Sequence, residues 1–297
     1  MTDLAPAAAA LAPAVLASIL VFAGLLGLVI GSFLNVVVYR VPAGLSLTRE
    51  SRCPHCAAPV RWWQNIPVVS WLVLRGRCAA CQAPISARYP LVELATAVAF
   101  VGVTGMFLAA PQPTMPTGEA VGAVIGAWSL VCVILAYLYF AAISIALTLI
   151  DLDSHRLPNA IVLPSYLVGG ILLTAAAILG AGWDDLLRAG IGMAALFAFY
   201  FVLRLAQPRG MGGGDVKLAG VVGMYLGWLG WDALVVGAFA GFLLGGVYGV
   251  ILMIGRRAGR KTAIPFGPWM LAGAWVGICV GGVLSRAYLH LVGVGAA

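Results

Sequence analysis

Charge is scarce in this chain of 297 residues. Its 17 Lys and Arg and 10 Asp and Glu make up only 9%, where an ordinary soluble protein carries roughly 25%. So few charged side chains cannot cover a water-exposed globule of this size, which excludes a soluble enzyme. The hydrophobic share of 63% excludes a disordered chain, and the same composition excludes a disulfide-stapled secreted domain. The first apolar stretch, Ala14 to Val38, has neither a basic flank before it nor small residues after it. It is therefore expected to remain as a span, with the N-terminus outside, rather than to be removed as a signal peptide. The chain also lacks an internal repeat and a Gly-rich dinucleotide fingerprint.

Apolar sequence dominates instead. Further runs lie at about 91–110, 120–150, 160–181, 187–205, 218–231, 233–254 and 268–290. Eight spans of about 20 residues use about 160 residues, which leaves room for one modest extramembrane segment. The expected fold is an all-α polytopic membrane protein with about eight transmembrane helices. Residues 1–39 form the first span, 40–90 a small cytoplasmic domain and 91–297 the remaining membrane core. The net charge of +7 is explained by sidedness rather than by nucleic acid. With the N-terminus outside, every Lys and Arg except Arg188 and Arg286 falls on the inner side. The short outer segments hold Asp3, Glu119, Asp184, Asp185 and Asp232. That asymmetry follows the positive-inside rule.

The 40–90 segment carries Cys53-Pro-His-Cys56 and Cys78-Ala-Ala-Cys81, with Trp62, Trp63 and Trp71 between the pairs. Four thiolates in two such turns can close a tetrahedral shell around zinc. A domain this small needs a cross-link of that kind. Disulfides are disfavoured in a reducing cytosol, and no βαβ pattern supports a thioredoxin-like pair. His55 lies inside the first knuckle as a substitute ligand. Cys132 and Cys279 sit in apolar spans as packing residues.

Acids interrupt apolar sequence at Asp151, Asp153 and Asp215, all assigned to the inner leaflet. Carboxylates at span ends are costly and mark a function or a partner. Two aspartates sharing a proton can split a peptide bond, one activating water while the other protonates the carbonyl. Asp215 precedes a helix and Asp151 closes one, so opposite dipole ends would divide the two roles. The run Gly212-Gly213-Gly214 before Asp215 permits close backbone approach and unusual dihedrals, but it also suits an ordinary helix cap. Asp151 and Asp153 point to different sides of a helix, so only one faces Asp215. Either could instead pair with Arg156 or Lys217.

These residues, taken together in order, resemble the bacterial type IV prepilin peptidases, membrane aspartic proteases of the GxGD type. The resemblance rests on Gly31-Ser32-Phe33-Leu34-Asn35, Tyr39-Arg40, both cysteine knuckles, Asn65-Ile66-Pro67 and Ser70-Trp71-Leu72. It continues through Arg75-Gly76, Arg88-Tyr89-Pro90-Leu91-Val92-Glu93 and Ile264-Pro265-Phe266-Gly267-Pro268. It implies that Asp151 and Asp215 are the catalytic pair, and decides against Asp153. Gly212 and Gly214 become the motif glycines, with Lys217 in support. Such enzymes often have Leu-Pro-Asp where this chain reads Leu157-Pro158-Asn159. The resemblance further implies cleavage of the basic leader of prepilins and pseudopilins after a glycine, at the cytoplasmic face of the inner membrane. These substrates belong to type IV pilus and type II secretion systems. Methylation of the new N-terminus with S-adenosylmethionine is implied in the same way. Glu93 is a candidate polar group for either site, or simply a first-turn acid. The rival readings are an ion-coupled transporter or channel and a non-enzymatic, zinc-stabilised secretion assembly factor.

Overall fold

A computed structural model describes residues 12–110, 120–207, 211–255 and 265–292, without the side chains of 120–123. Asp3, Glu119, Gly210 and Ile264 lie outside the described residues, as do Arg209, Arg256, Arg257, Arg260 and Lys261. The described elements are helices joined by turns. They are α1 (Pro13–Arg40), a 3₁₀ turn (Trp62–Asn65), α2 (Val69–Val73), α3 (Arg88–Ala109), α4 (Ala120–Ser154) and α5 (Asn159–Ala176). These are followed by α6 (Trp183–Ala206), α7 (Gly213–Leu229), α8 (Trp231–Ile254) and α9 (Gly267–Leu291). Within lipid the backbone must satisfy its own polar groups, and an uninterrupted apolar run does so as a helix.

Seven of these helices are long and apolar enough to cross a membrane: α1, α3, α4, α5 with its terminal turn, α6, α8 and α9. The 218–231 run, the one expected span not among these seven, is α7. It has 17 residues and rises only about 25 Å. Burial marks it most clearly, since every residue from Leu218 to Trp228 is buried.

The chain divides into two compact units, both of which draw on α4. In the unit that holds α1, α3 and the cysteine segment, glycines set the helix spacing. A Cβ at Gly27 would lie 2.6 Å from Ala97 Cα, and one at Gly31 would lie 2.6 Å from Glu93 Cα. Small residues at such crossings let backbones touch, which is how helices associate where burial from water gives no driving force.

The second unit holds α5 to α9 with parts of α4. Its α7 is packed the same way, with a Cβ at Gly227 reaching 2.6 Å from the Arg188 carbonyl. Arg188 donates to the carbonyls of Gly227 (2.7 Å) and Trp228 (2.8 Å) and is paired with Asp185 at 2.6 Å. Arg188 is thus occupied in capping the C-terminal end of α7. Between α5 and α6 the chain reverses through Gly180 (φ 102°) and Gly182 (φ 109°), conformations closed to residues with a Cβ. Proline opens α1 and α9 within their first two positions, where the missing N–H is not needed.

Candidate active site

Both carboxylates lie within the second unit and at helix ends. Asp151 is the fourth residue from the end of α4, and Asp215 is the third residue of α7. They are 64 residues apart in sequence and close enough to repel one another electrostatically. Asp151 is only 4% exposed, and its Oδ2 accepts the N–H of Gly267 at 3.1 Å. Asp215 Oδ2 accepts the N–H of Gly212 at 3.0 Å. Asp153 is exposed, so the alternatives at the end of α4 are separated by burial.

Leu157 joins the two sides. Built at Gly214, a Cβ would lie 2.8 Å from Leu157 Cβ; at Gly267 it would lie 3.3 Å from Leu157 Cδ2. One side chain therefore packs beside both the glycine before Asp215 and the helix start that holds Asp151. The turn that delivers it runs through His155 at φ 50°, where the end of α4 gives way to Pro158 and α5.

Two expectations are corrected here. The glycines before Asp215 are not there for unusual dihedrals: Gly212 has φ −72°, and none of the three has positive φ. Gly214 is required by close approach, because a Cβ there would meet Leu157 Cβ at 2.8 Å, whereas at Gly213 only the movable guanidinium of Arg204 stands in the way. The second concerns the helix dipoles. Asp151 closes α4, but its carboxylate binds the first residue of α9. Each aspartate thus faces a helix start, and the expected contrast in dipole ends is absent.

Lys217 Nζ donates to Asn159 Oδ1 at 2.9 Å rather than to either aspartate. This bond ties α7 to the first residue of α5, just beyond the Asp151 turn. Asn159→Asp would place a carboxylate against that ammonium. We expect it to raise thermal stability by no more than about 1 kcal/mol, as exposed ion pairs do, measurable as a small upward shift in the unfolding midpoint.

Sequence reasoning assigns no role to two further residues. Gly267 lies 116 positions from the carboxylate that it contacts. Tyr200 on α6 is 1% exposed, packed with Phe242 and Phe266 at centroid distances of 5.2 and 5.9 Å. It lies within electrostatic reach of Asp215. A run of aromatics at 197, 199, 200 and 201 was the available signal, but it singles out no one face of the helix.

In the other unit, the sulfurs of Cys53, Cys56, Cys78 and Cys81 all lie within 4.8 Å of one another, with Cys53 and Cys81 3.8 Å apart. A tetrahedral shell with metal–sulfur bonds of about 2.3 Å needs sulfurs about 3.8 Å apart, so this cluster can hold a metal ion. The knuckles are near copies. Arg52 bridges Pro59 and Arg77 bridges Pro84. Ala57 and Gln82, each just after a second cysteine, take φ 58° and 60°.

Backbone N–H groups of Cys56 and His55 lower the Cys53 pKa, and those of Cys81 and Ala80 lower that of Cys78 to about 6. For Cys81 the Ala83 N–H is outweighed by the other sulfurs and by burial, which push it up to about 11. Four such sulfurs ionise together only around a cation. His55 is not part of the cluster.

Glu93 is the sixth residue of α3, not a first-turn acid. It is buried, accepts the Val68 N–H at 2.7 Å and is hydrogen-bonded to Ser32. Arg40, also buried, donates to the carbonyls of Ser46, Leu47 and Arg49 at the entry to the first knuckle.

Residues 25–107 match the family described as Bacterial Peptidase A24 N-terminal domain, and residues 138–250 match the Type IV leader peptidase family. The chain is 37% identical over 291 residues to a prepilin leader peptidase/N-methyltransferase of Aeromonas hydrophila, covering 89% of this chain and 92% of the relative. Proteins of the same name from Stutzerimonas stutzeri and Neisseria gonorrhoeae are 34% and 36% identical. They cover 89% and 86% of this chain, and 92% and 88% of their own lengths. No solved structure matches. With relatives this similar along nearly its whole length, the chain belongs to the type IV leader peptidase family.

Proposed function

We propose that the chain is a membrane aspartic endopeptidase that removes the leader of type IV prepilins and pseudopilins and then methylates the new N-terminal amine. What supports the peptidase reading is that Asp151 and Asp215 lie within electrostatic reach of one another, each held by one backbone N–H with Leu157 packed nearby. One carboxylate removes a proton from water as it attacks the scissile carbonyl. The other, neutral, protonates the carbonyl oxygen. The glycines keep side chains away from the approach to Asp215, and Lys217 holds the start of α5 against α7.

The active site faces the cytoplasm, as the concentration of Lys and Arg on that side supports. Substrate enters with its apolar helix in the bilayer and its leader at the membrane edge. Residues 1–39 form the first span, 40–90 the cysteine domain and 91–297 the peptidase core. An ion path would favour acids deep within spans, whereas both aspartates lie within four residues of a helix end. Methyl transfer follows from the name of the relatives, with S-adenosylmethionine the donor that the resemblance implies. Glu93 is taken up by Val68 and Ser32, so no transfer step is assigned to it.

Purified protein in lipid, given a prepilin with its leader, is expected to yield a shortened product whose new N-terminus follows a glycine, read by mass spectrometry. Intact precursor after incubation with folded, metal-loaded protein would overturn the reading.

Cys53, Cys56, Cys78 and Cys81 are the ligands of a structural zinc in this proposal. Metal analysis should give about one ion per chain, and joint Cys53→Ser and Cys56→Ser substitution should abolish it. The same variant is expected to expose 41–87 to limited proteolysis. Metal-free wild-type protein with full protease resistance there would count against the site.

A further inference from the structure

The segment between the knuckles is unusually apolar on its surface. Trp62 is 78% exposed, Val73 75% and Leu72 61%, and Trp63, Ile66 and Val69 are also exposed. Six large apolar side chains within twelve residues form a patch of the kind that marks a contact surface. The backbone beneath it is fixed. Val68 holds φ 60°, rare for a β-branched residue, with its N–H bound to Glu93 at 2.7 Å. Trp71 Nε1 donates to the Ile85 carbonyl at 3.1 Å.

The Glu93 bond sets the depth of this patch. Glu93 is five residues beyond Arg88, the first residue of α3, which places it roughly 8 Å along the helix. Val68 is therefore held beside the first two turns of a membrane-crossing helix. At that level α3 itself exposes Tyr89, Leu91 and Leu94. Ile66, Val69, Leu72 and Val73 add exposed apolar side chains on the segment that Glu93 ties to the span.

The nearest acids are Glu50, which pairs with Arg52, and the buried Glu93; the exposed charge between them is basic. Residues 51–92 contain five arginines and no acid. Arg61 and Arg75 are exposed, and Arg61 sits 5.1 Å from the centre of the Trp63 ring. Tryptophan favours the headgroup level, where one end of the ring is apolar and the other wet. Arginine there meets anionic lipid phosphates.

We propose that Trp62–Val73 is an interfacial anchor that lies in the headgroup boundary of an anionic leaflet and pins the cysteine domain to the membrane surface. The partner is the bilayer itself, bound through apolar insertion and arginine–phosphate pairs.

Full-length protein labelled with 5-fluorotryptophan, in nanodiscs containing phosphatidylglycerol, tests this by ¹⁹F NMR. Trp62→Phe and Trp63→Phe assign the two resonances independently, so one misfolded variant leaves the other reporter. Lipid carrying a doxyl spin label high on its acyl chain should broaden the Trp62 and Trp63 signals severalfold, and more than a water-soluble gadolinium chelate does. Replacing phosphatidylglycerol by phosphatidylcholine should weaken the doxyl effect. Broadening by the chelate without broadening by doxyl lipid would overturn the anchor. Shielding that appears only after a prepilin peptide is added would also overturn it, because the patch would then be a peptide dock. A doxyl effect indifferent to lipid charge would refute the role given to the arginines.

Discussion

Asp151→Asn and Asp215→Asn, made separately, should each lower prepilin cleavage by about 10³-fold, within the range for loss of a positioned acid or base. That corresponds to about 4 kcal/mol of transition-state stabilisation. Asparagine keeps the shape of the side chain, and its Oδ1 can still accept the N–H of Gly267 or Gly212, so packing is retained while proton transfer is lost. The two groups act as a unit on one water and one amide. The double variant is therefore expected to be no worse than either single one. Asp153→Asn changes an exposed carboxylate and should retain near-wild-type activity. Co-expression with a prepilin and comparison of precursor with mature product provides the measurement, with metal content as a control for folding. Normal cleavage by either Asp151→Asn or Asp215→Asn would reject the pair.

Much of this molecule is legible in its sequence because the lipid solvent simplifies the code. The run read as Ala14–Val38 is the helix Pro13–Arg40, and that read as 233–254 is Trp231–Ile254, since hydropathy alone decides helix existence in a membrane. The limits of α7 are the least legible. Its glycines dilute the apolar signal, and they exist because neighbouring backbones press against it. The cysteine cluster follows from two CxxC turns. The pairing of Arg52 with Pro59 and Arg77 with Pro84 shows a short repeat, Arg-Cys-x-x-Cys-x-Ala-Pro, too local to register as a domain duplication. The aspartates could be named, yet their surroundings could not. No local pattern says that the start of α9 reaches back to Asp151, or that Leu157 packs beside both Gly214 and Gly267. Those contacts are tertiary, and the spacing of residues along the chain carries no trace of them.

Gly267→Ala separates positioning from folding at this site. A Cβ there would lie 2.7 Å from Asp151 Oδ2, closer than atoms tolerate, so the carboxylate must move away from the α9 N–H that holds it. A carboxylate is the free end of a side chain and can yield, which directs the damage to catalysis rather than to stability. Misplacement by about 1 Å can cost about 10²-fold in rate. We therefore expect kcat for leader cleavage to fall about 10²-fold, with KM nearly unchanged and the unfolding midpoint little altered. Gly214→Ala provides the contrast. Its Cβ would lie 2.8 Å from Leu157 Cβ, an atom fixed to the backbone that cannot swing aside. That variant should lose stability, by about 1–3 kcal/mol as overpacked sites do, and lose activity in step with it. Steady-state kinetics and thermal unfolding on both variants distinguish the outcomes. Wild-type kcat in Gly267→Ala would mean that Asp151 needs no help from the start of α9. Equal destabilisation of the two variants would mean that Gly267 serves packing, leaving Asp151 to be oriented by the closing turn of α4.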